Sequence, residues 1–151
     1  MLQAGDKAPN FTATIQTGET VSLKDFKGKK LILFIYPASN TPSCTVENCN
    51  LRDAYGELKA KGYTLLGVSP DTIKKQQNFI QKHQLPFPLI ADEGNELIKA
   101  FGAWGQKQLY GRIYDGVLRS TFIINGKGII ERVIDKVVTK NHAQQILEAV
   151  E

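Results

Sequence analysis

The sequence predicts an α/β fold in which a central mixed β-sheet is flanked by helices and preceded by an N-terminal β-hairpin. Two continuous apolar, β-branched runs, Leu31–Tyr36 and Tyr63–Val68, are typical of central strands that are covered on both faces. Each run is followed by a stretch whose apolar residues have helical spacing, whereas residues 120–134 have the pattern of an antiparallel hairpin. A length of 151 residues fits one domain, 1–151.

The first elements are a small hairpin and the first central strand. Phe11–Ile15 and Val21–Leu23 flank a Thr17-Gly18 turn, which predicts two short antiparallel strands. Leu31–Tyr36 follows as a buried strand, and Pro37 ends it because proline lacks the N–H that a sheet ladder needs. We therefore expect the next segment to be a loop at the C-terminal end of this strand.

A long helix follows that loop. The pattern predicts that it begins near Pro42, runs to about Lys61, and ends at Gly62. Its predicted apolar stripe consists of Val46, Leu51, Tyr55 and Leu58.

The middle of the chain continues the strand–helix alternation. After the strand Tyr63–Val68, we expect Asp71 to cap a helix that runs to about His83. Phe87–Ala91 reads as a short strand whose prolines place it at an edge or an irregular start, and Asn95–Phe101 as a short helix.

The C-terminal part predicts a hairpin and a helix. Ser120–Asn125 and Ile129–Ile134 are joined by a Gly126–Gly128 turn, and Asn141–Val150 is an amphipathic helix capped at Thr139 or at its own first residue. The resulting order is ββ, βαβα, βα, ββ and α. Parallel strands with crossover helices, closed by an antiparallel hairpin, give a sandwich of thioredoxin-like type.

Composition excludes several classes of protein. The hydrophobic fraction of 42% and the charged fraction of 23% are ordinary for a soluble globular protein. The net charge is +4, but lysines occur in scattered pairs among acidic residues, so we expect no nucleic-acid partner. No apolar run approaches the roughly 20 residues that span a bilayer, so we expect no membrane partner. Because residues 1–9 lack the features of a signal peptide, we expect a cytoplasmic location.

The chain has two cysteines, Cys44 and Cys49, which are too few for a disulfide scaffold. Their spacing is not C-x-x-C, and no neighbouring histidine completes a zinc site. We expect His83 and His142 to be surface residues rather than ligands. The sequence contains neither a P-loop nor G-x-G-x-x-G, so no metal or other cofactor is predicted.

Cys44 falls in the first turn of the long helix, at the C-terminal end of the first central strand, where open α/β sheets place their ligands. Unpaired backbone N–H groups and the helix dipole favour an anion there, which predicts a reactive thiolate. We expect the Thr41 hydroxyl to point back to the start of the helix. We expect Pro37 to border the pocket without offering an N–H. The alternative is an inert, buried cysteine, which the polar neighbours of Cys44 make less favourable.

Geometry separates Cys44 from Cys49. Five residues of helix give a rise of about 7.5 Å and a rotation of about 140°, which places the two Cα atoms roughly 8–9 Å apart. A disulfide requires less than about 7 Å. If the two thiols form a disulfide during a cycle, the first turns of the helix must unwind.

These residues resemble the peroxiredoxins, and most closely the bacterioferritin-comigratory-protein (Q-type) subfamily. The signature P-x-x-x-T-x-x-C is present as Pro37, Thr41 and Cys44, and Cys49 matches a second cysteine found in many members. Further matching blocks are Gly5–Phe11, Leu23–Phe26, Gly67–Asp71, Phe87–Asp92, Trp104–Gly105 and Arg119–Ile124. The chain departs from the usual pattern at Ala38 and Ser39, where a charged residue is frequent, and at Ser43, where glycine is common.

The resemblance implies a thiol-dependent reductase of hydroperoxides that needs no cofactor. It implies that Cys44 attacks the peroxide, that Cys49 resolves the sulfenic acid, and that Pro37, Thr41 and Arg119 complete the active site. No local feature marks Arg119, which would otherwise be interpreted as a surface residue at the start of a strand. The expected reductant is thioredoxin or a similar dithiol protein. We also expect a monomer, since no appended tail for arm exchange is evident.

Two further residues have two interpretations each. Glu47 matches a glutamate of the family that would position an arginine, but a surface helix position accounts for it almost as well. Trp104 either lines the pocket or packs in the core.

Two rival functions share the predicted fold. A general thiol–disulfide oxidoreductase would carry C-x-x-C at the helix start, which this chain lacks. A non-catalytic binding or holdase domain would be favoured by a broken signature, whereas here all four signature residues are present.

Overall fold

The chain folds around one central sheet, and the computed structural model describes residues 1–150. Its α-helices are α1 Pro42–Ala60, α2 Ile73–His83, α3 Glu96–Ala100 and α4 His142–Val150. Short 3-10 helices span Leu23–Phe26 and Thr139–Asn141. The strands are β1 Thr12–Thr14, β2 Thr20–Ser22, β3 Lys30–Ile35, β4 Tyr63–Ser69, β5 Leu89–Ala91, β6 Trp104–Leu109, β7 Arg112–Val117, β8 Ser120–Ile124 and β9 Ile130–Ile134.

The central sheet is mixed, with the strand order β5-β4-β3-β8-β9. Strand β4 is parallel to both β3 and β5, whereas β8 is antiparallel to both β3 and β9. Strands β1 and β2 form a separate antiparallel pair. The predicted thioredoxin-like α/β architecture, with its N-terminal hairpin and C-terminal antiparallel strands, is confirmed.

Strand β3 lies in the middle of the sheet and is covered on both faces. Leu31, Leu33 and Ile35 face one layer, and Ile32 and Phe34 face the other, all fully buried. The first layer contains α3 and the N-terminal hairpin, and the second contains α1, α2 and α4. Because both faces of β3 are buried, its sequence is continuously apolar rather than alternating.

Helix α1 matches its predicted limits and most of its predicted stripe. Gly62 follows its end with a φ of +90°, and the Gly62 N–H donates to the Lys59 carbonyl at 2.9 Å. Leu51 and Leu58 are buried, as expected, but Val46 is 44% exposed. Val46 was wrongly placed on the stripe because it lies about 140° around the helix from Leu51.

Two predicted helix caps are wrong. Thr72, not Asp71, caps α2: its hydroxyl accepts a hydrogen bond from the Lys75 N–H at 3.2 Å. For α4, the N–H of Ala143 in the first turn donates to Asn50 Oδ1 of α1 at 2.8 Å. This cap comes from another helix, so local sequence rules had no means of finding it.

The hairpin formed by β6 and β7 was not predicted. Its two-residue turn, Tyr110-Gly111, has φ values of 51° and 77°. Such left-handed conformations suit hairpin turns, but tyrosine rarely adopts them, so the turn carries a weak sequence signal. Separately, none of the helices within residues 1–150 is long and apolar enough to cross a membrane.

Candidate active site

Cys44 lies at the start of α1, directly beyond the C-terminal end of β3. Thr41 is the N-cap residue and Pro42 is the first helical residue, a position that tolerates the missing N–H of proline. The first i to i−4 bond runs from the Thr45 N–H to the Thr41 carbonyl at 2.9 Å. The backbone N–H of Cys44 therefore belongs to the donors that a helix leaves open at its start. The side chain of Cys44 packs in the core layer, and the residue is 1% exposed.

Arg119 reaches Cys44 because of the sheet register. Ser120, the first residue of β8, pairs with Ile35 at the end of β3, so Arg119 lies at the same edge as the start of α1. Its Nη2 donates to Cys44 Sγ at 3.2 Å and to Ser43 Oγ at 3.0 Å. The side chain is 18% exposed, so its charge acts in a site that is largely shielded from water.

Glu47 is fully buried one helical turn beyond Cys44, so the surface interpretation of this residue is wrong. Its Oε1 accepts a hydrogen bond from Arg119 Nη1 at 2.5 Å. Burial raises the pKa of the Glu47 carboxyl to about 7, although the charge and the hydrogen bond of Arg119 act in the opposite direction. The site thus has one cation in contact with both a thiol and a buried carboxyl group.

His142 is also fully buried, so its predicted surface position is wrong. The same face of α4 buries Ala143 and Ile146, and this face packs against the central sheet and α1. The prediction failed because the flanking residues are polar, whereas the tertiary packing of α4 decides which face is covered. His83, by contrast, is half-buried, with its ring against Phe79.

Hydrogen bonds define the environment of the His142 ring. Nε2 lies 2.7 Å from Thr121 Oγ1, and Nδ1 lies 2.8 Å from Gln145 Oε1. The same Nε2 is 3.8 Å from Glu47 Oε2, a buried oxygen without a hydrogen-bond partner among the described residues. Burial lowers the pKa of His142 to about 4, and the charge of Arg119 lowers it further against the effect of the Gln145 hydrogen bond. Burial therefore favours the neutral form of both His142 and Glu47.

The Thr41 hydroxyl does not cap the helix as expected. It donates to the Ala38 carbonyl at 2.8 Å, inside the loop that precedes α1. Pro37 is half-buried at the start of that loop. The proton of the Thr41 hydroxyl is therefore directed into this loop, away from the helix start.

Cys49 is half-buried on α1, and both cysteines are free thiols. The helix is continuous from Pro42 to Ala60, so the separation of roughly 8–9 Å expected for this spacing applies. A Cys44–Cys49 disulfide is incompatible with this conformation.

The structure brings Pro37, Thr41, Cys44 and Arg119 to one edge of the sheet, with Cys49 further along α1. The sequence left two interpretations open for Glu47, which was not counted among the catalytic residues, and His142 was wrongly placed on the surface. Ser43 was treated only as a departure from a pattern, although its hydroxyl contacts Arg119. Trp104 is half-buried and packs against the core layer of α3. Among residues 1–150, no cluster of three or more His, Cys, Asp or Glu side chains is placed to hold a metal ion.

Comparison with known proteins links this arrangement to a family. Residues 4–133 match the sequence pattern of the AhpC/TSA family. The chain is 43% identical over 146 residues to Peroxiredoxin Bcp of Escherichia coli (strain K12), which covers 97% of this chain and 94% of that protein.

Solved structures show the same fold. A cysteine-to-serine variant of Peroxiredoxin Q from Xanthomonas campestris superimposes with a TM-score of 0.90 at 30% identity, covering 99% of this chain and 98% of that chain. A structure of the Xanthomonas campestris bacterioferritin comigratory protein, described for its alkyl peroxide reduction activity, matches at a TM-score of 0.87 and 31% identity. That match covers 93% of this chain and 89% of that chain.

Proposed function

The chain belongs to the AhpC/TSA family and is a thiol-dependent peroxidase of the peroxiredoxin type, and from this premise we propose that Cys44 is its peroxidatic residue and Cys49 its resolving residue. The observation that carries the proposal is the 3.2 Å contact between Arg119 Nη2 and Cys44 Sγ. The guanidinium group gives this thiol, in the first turn of a helix, the electropositive surroundings that are typical of nucleophilic cysteines.

In the first step, the Cys44 thiolate attacks the terminal oxygen of a hydroperoxide ROOH. The S–O bond forms as the O–O bond breaks, which yields Cys44–SOH and RO⁻, and RO⁻ takes up a proton to become ROH. Sulfur is oxidised by two electrons, and the peroxide is reduced by two. Negative charge moves from sulfur to the leaving oxygen, so donors held at both positions stabilise the transition state.

Arg119 and the helix start supply these donors. The guanidinium group has five N–H donors in a fixed plane, so it can contact Cys44 and Glu47 and still face an incoming oxygen. The backbone N–H of Cys44 adds another donor. Glu47 holds Arg119 in the plane that faces the sulfur and thus acts as a positioning residue.

Thr41 has a complementary role. Because its proton is used in the bond to the Ala38 carbonyl, its hydroxyl oxygen can accept a hydrogen bond from the O–H of the peroxide. This contact orients the terminal oxygen towards Cys44. Pro37 borders the same loop without adding a backbone N–H that would compete for the peroxide.

Cys49 completes the cycle. Its thiol displaces the hydroxyl group of Cys44–SOH, which forms a Cys44–Cys49 disulfide and releases water. Because α1 holds the two residues too far apart, its first turns unwind in this step. Equal rates of amide hydrogen exchange over residues 42–52 in the reduced and disulfide forms would contradict this part of the proposal.

A dithiol protein of the thioredoxin class then transfers two electrons and two protons to the disulfide, which restores both thiols. Such donors are kept reduced in the cytoplasm, so a cytoplasmic location is part of the proposal. The proposal also includes a monomeric protein that acts without nucleic acid. One chain supplies all the proposed active-site residues, which are Pro37, Thr41, Cys44, Cys49 and Arg119. Size-exclusion chromatography with light scattering measures the molar mass in solution, which should be that of one chain.

The test is peroxide consumption by the pre-reduced protein, followed by mass spectrometry of its peptides. We expect about one equivalent of hydrogen peroxide to be consumed with formation of a Cys44–Cys49 linkage, and an inactive Cys44→Ser variant. Persisting peroxide with both thiols free contradicts the proposal. Insulin reduction by the wild type would instead favour a general thiol–disulfide oxidoreductase, and function retained in Cys44→Ser would favour a binding domain.

A further inference from the structure

We propose that Ser39 is a positioning residue whose partly buried hydrogen-bond network fixes the loop before α1 and sets the point at which the unwinding of α1 stops. The Ser39 network consists of Tyr36, Ser39, Ser69, Asp71 and Gln76. This inference rests on the proposed Cys44–Cys49 cycle, and it assigns a role to residues outside the peroxidase signature.

The first part of the network holds the backbone of the loop. The Ser39 N–H donates to Asp71 Oδ2 at 2.7 Å, and the Ser69 hydroxyl donates to the same oxygen at 2.6 Å. Ser69 is the last residue of β4 and is fully buried. Hydrogen bonds to a carboxylate are among the stronger ones in proteins, so the Ser39 backbone is firmly tied to the end of β4.

The second part holds the Ser39 side chain. Gln76 Oε1 accepts hydrogen bonds from Ser39 Oγ at 2.8 Å and from the Tyr36 hydroxyl at 3.0 Å. Gln76 Nε2 donates to Ser69 Oγ at 2.7 Å and to the Ile90 carbonyl at 2.8 Å. All four hydrogen-bonding positions of this fully buried amide are therefore used, which allows a single orientation.

The position of the network explains what it does for the site. Ser39 lies between Pro37 and Thr41, so a fixed Ser39 limits the movement of both. Asn40 follows with a φ of 63°, a left-handed conformation that is strained for a residue with a side chain, and turns the chain into α1. Cys44 lies five positions after the anchored Ser39, and a displaced loop would move Thr41 relative to the sulfur.

The network also defines the limit of unwinding. Its members lie at the ends of β3 and β4, in the following loops and on α2, and none belongs to α1. Unwinding of the first turns of α1 therefore breaks none of these bonds. The chain from Asn40 to Cys49 can rearrange, while Ser39 stays attached to the sheet and provides a fixed end for refolding after reduction.

Amide hydrogen exchange tests the limit directly. We compare the reduced protein with the disulfide form made by diamide, which takes up the two electrons and two protons of the thiols. We expect the Ser39 amide to keep its protection within about twofold, while the amides of residues 45–48, which are hydrogen-bonded within α1, lose at least tenfold. Equal loss of protection at Ser39 would overturn the inference.

Variants test the positioning role. We expect Asp71→Ala, which removes the acceptor of the Ser39 N–H, to lower the rate constant of Cys44 oxidation about three- to tenfold. Asp71→Asn, which keeps an acceptor oxygen, should recover most of the rate. Ser39→Ala removes the hydroxyl group that donates to Gln76 at 2.8 Å and contacts the Tyr36 hydroxyl at 3.3 Å, but keeps the backbone bond to Asp71. This variant should fold and should lower the rate two- to fivefold, in line with the loss of about one hydrogen bond.

Thr72→Ala is the matched control, because it removes the cap of α2 beside Asp71 without touching the Ser39 network. It should lower the stability but leave the rate of Cys44 oxidation unchanged. If Thr72→Ala slows oxidation as much as Asp71→Ala, or if Ser39→Ala has no effect, the positioning role fails. A wild type that consumes no peroxide would contradict the proposed function, whereas the exchange experiment with diamide would still report on the network.

Discussion

Arg119 Nη2 lies 3.2 Å from Cys44 Sγ, although Arg119 comes 75 positions after Cys44 in the chain. The antiparallel pairing of β8 with β3 creates this contact, because it returns the chain to the edge of the sheet where α1 begins. The same guanidinium group contacts Ser43 and Glu47. One cation therefore contacts the thiol, a hydroxyl group and a buried carboxyl group, and substitutions of its partners can separate these contributions.

Replacing Arg119 should be the most damaging change outside the cysteines. We expect Arg119→Ala to lower the rate constant of Cys44 oxidation about 10²- to 10³-fold, the effect of losing one donor at a developing charge. Arg119→Lys should recover part of the rate, because it keeps the charge but loses the planar donors that contact Glu47 and Cys44 together. Single-turnover stopped-flow kinetics measures the constant. A loss of less than threefold for Arg119→Ala would remove this residue from the mechanism.

The Ser43 hydroxyl should make a smaller contribution. It accepts a hydrogen bond from the same Nη2 that contacts Cys44, so it limits the movement of Arg119. We expect Ser43→Ala to lower the rate of Cys44 oxidation two- to fivefold, in line with the loss of one hydrogen bond. Val46→Ala, a change at an exposed position of the same helix, is the control and should leave the rate unaltered. An unchanged rate in Ser43→Ala would show that Glu47 alone positions the arginine.

Glu47 and His142 should change the stability of the protein with opposite dependence on pH. The pKa of Glu47 is raised from 4.5 to about 7. Its contribution to the unfolding free energy is therefore fully present below pH 4.5 and is lost as the pH rises through about 7. The pKa of His142 is lowered from 6.5 to about 4, so its contribution is complete above pH 6.5 and is lost as the pH falls through about 4. Between about pH 4.5 and 6.5, the changes in unfolding free energy that come from Glu47 and His142 partly cancel in the wild type.

Single variants should reveal each effect. As the pH rises from 4.5 to 7, the unfolding free energy of Glu47→Gln should increase by up to about 3 kcal/mol relative to that of the wild type. As the pH falls from 6.5 to 4, the unfolding free energy of His142→Gln should likewise increase by about 3 kcal/mol relative to that of the wild type. Urea denaturation across this pH range measures both. Parallel curves for the wild type and both variants would refute the assigned pKa shifts.

Removing Cys49 should separate peroxide attack from resolution. We expect Cys49→Ser to react with the first equivalent of peroxide within about twofold of the wild-type rate, since the continuous helix α1 holds the Cα atoms of Cys49 and Cys44 roughly 8–9 Å apart. Turnover with a thioredoxin-type donor should fall at least tenfold, and excess peroxide should convert Cys44–SOH to the sulfinic acid. Coupled assays and mass spectrometry of the peptides measure both. Wild-type turnover in Cys49→Ser would show that another thiol resolves the intermediate.

Asn50 should contribute to stability without contributing to the chemistry. Its Oδ1 accepts a hydrogen bond from the Ala143 N–H at 2.8 Å, and its Nδ2 donates to the Lys140 carbonyl at 3.0 Å. We expect Asn50→Ala to lower the unfolding free energy by about 1–2 kcal/mol, as for the loss of a helix cap, with an unchanged rate of Cys44 oxidation. Thermal denaturation and stopped-flow kinetics together check this, and a slowed oxidation would instead link the docking of α4 to the active site.

Elements whose signal is local were predicted well. The continuous run Leu31–Tyr36 identified a strand buried on both faces, and Pro42 and Gly62 marked the limits of α1 to within two residues. The hairpin of β6 and β7 was missed, because its strands are largely polar and its turn begins with a tyrosine in a left-handed conformation. Asp71 was taken as a helix cap on its residue type alone, whereas the structure uses its carboxylate to hold the Ser39 network.

The sequence by itself determined the fold class and the position of Cys44 at a helix start, because apolar periodicity and helix signals act between residues close in the chain. Only the tertiary structure decided that Glu47 and His142 are buried and that Arg119 contacts the sulfur. Those outcomes depend on strand register and on which helix face is covered, both of which arise from contacts between distant segments. Burial then changes the charge preference of each group, so the electrostatics of the site could be known only after the chain had folded.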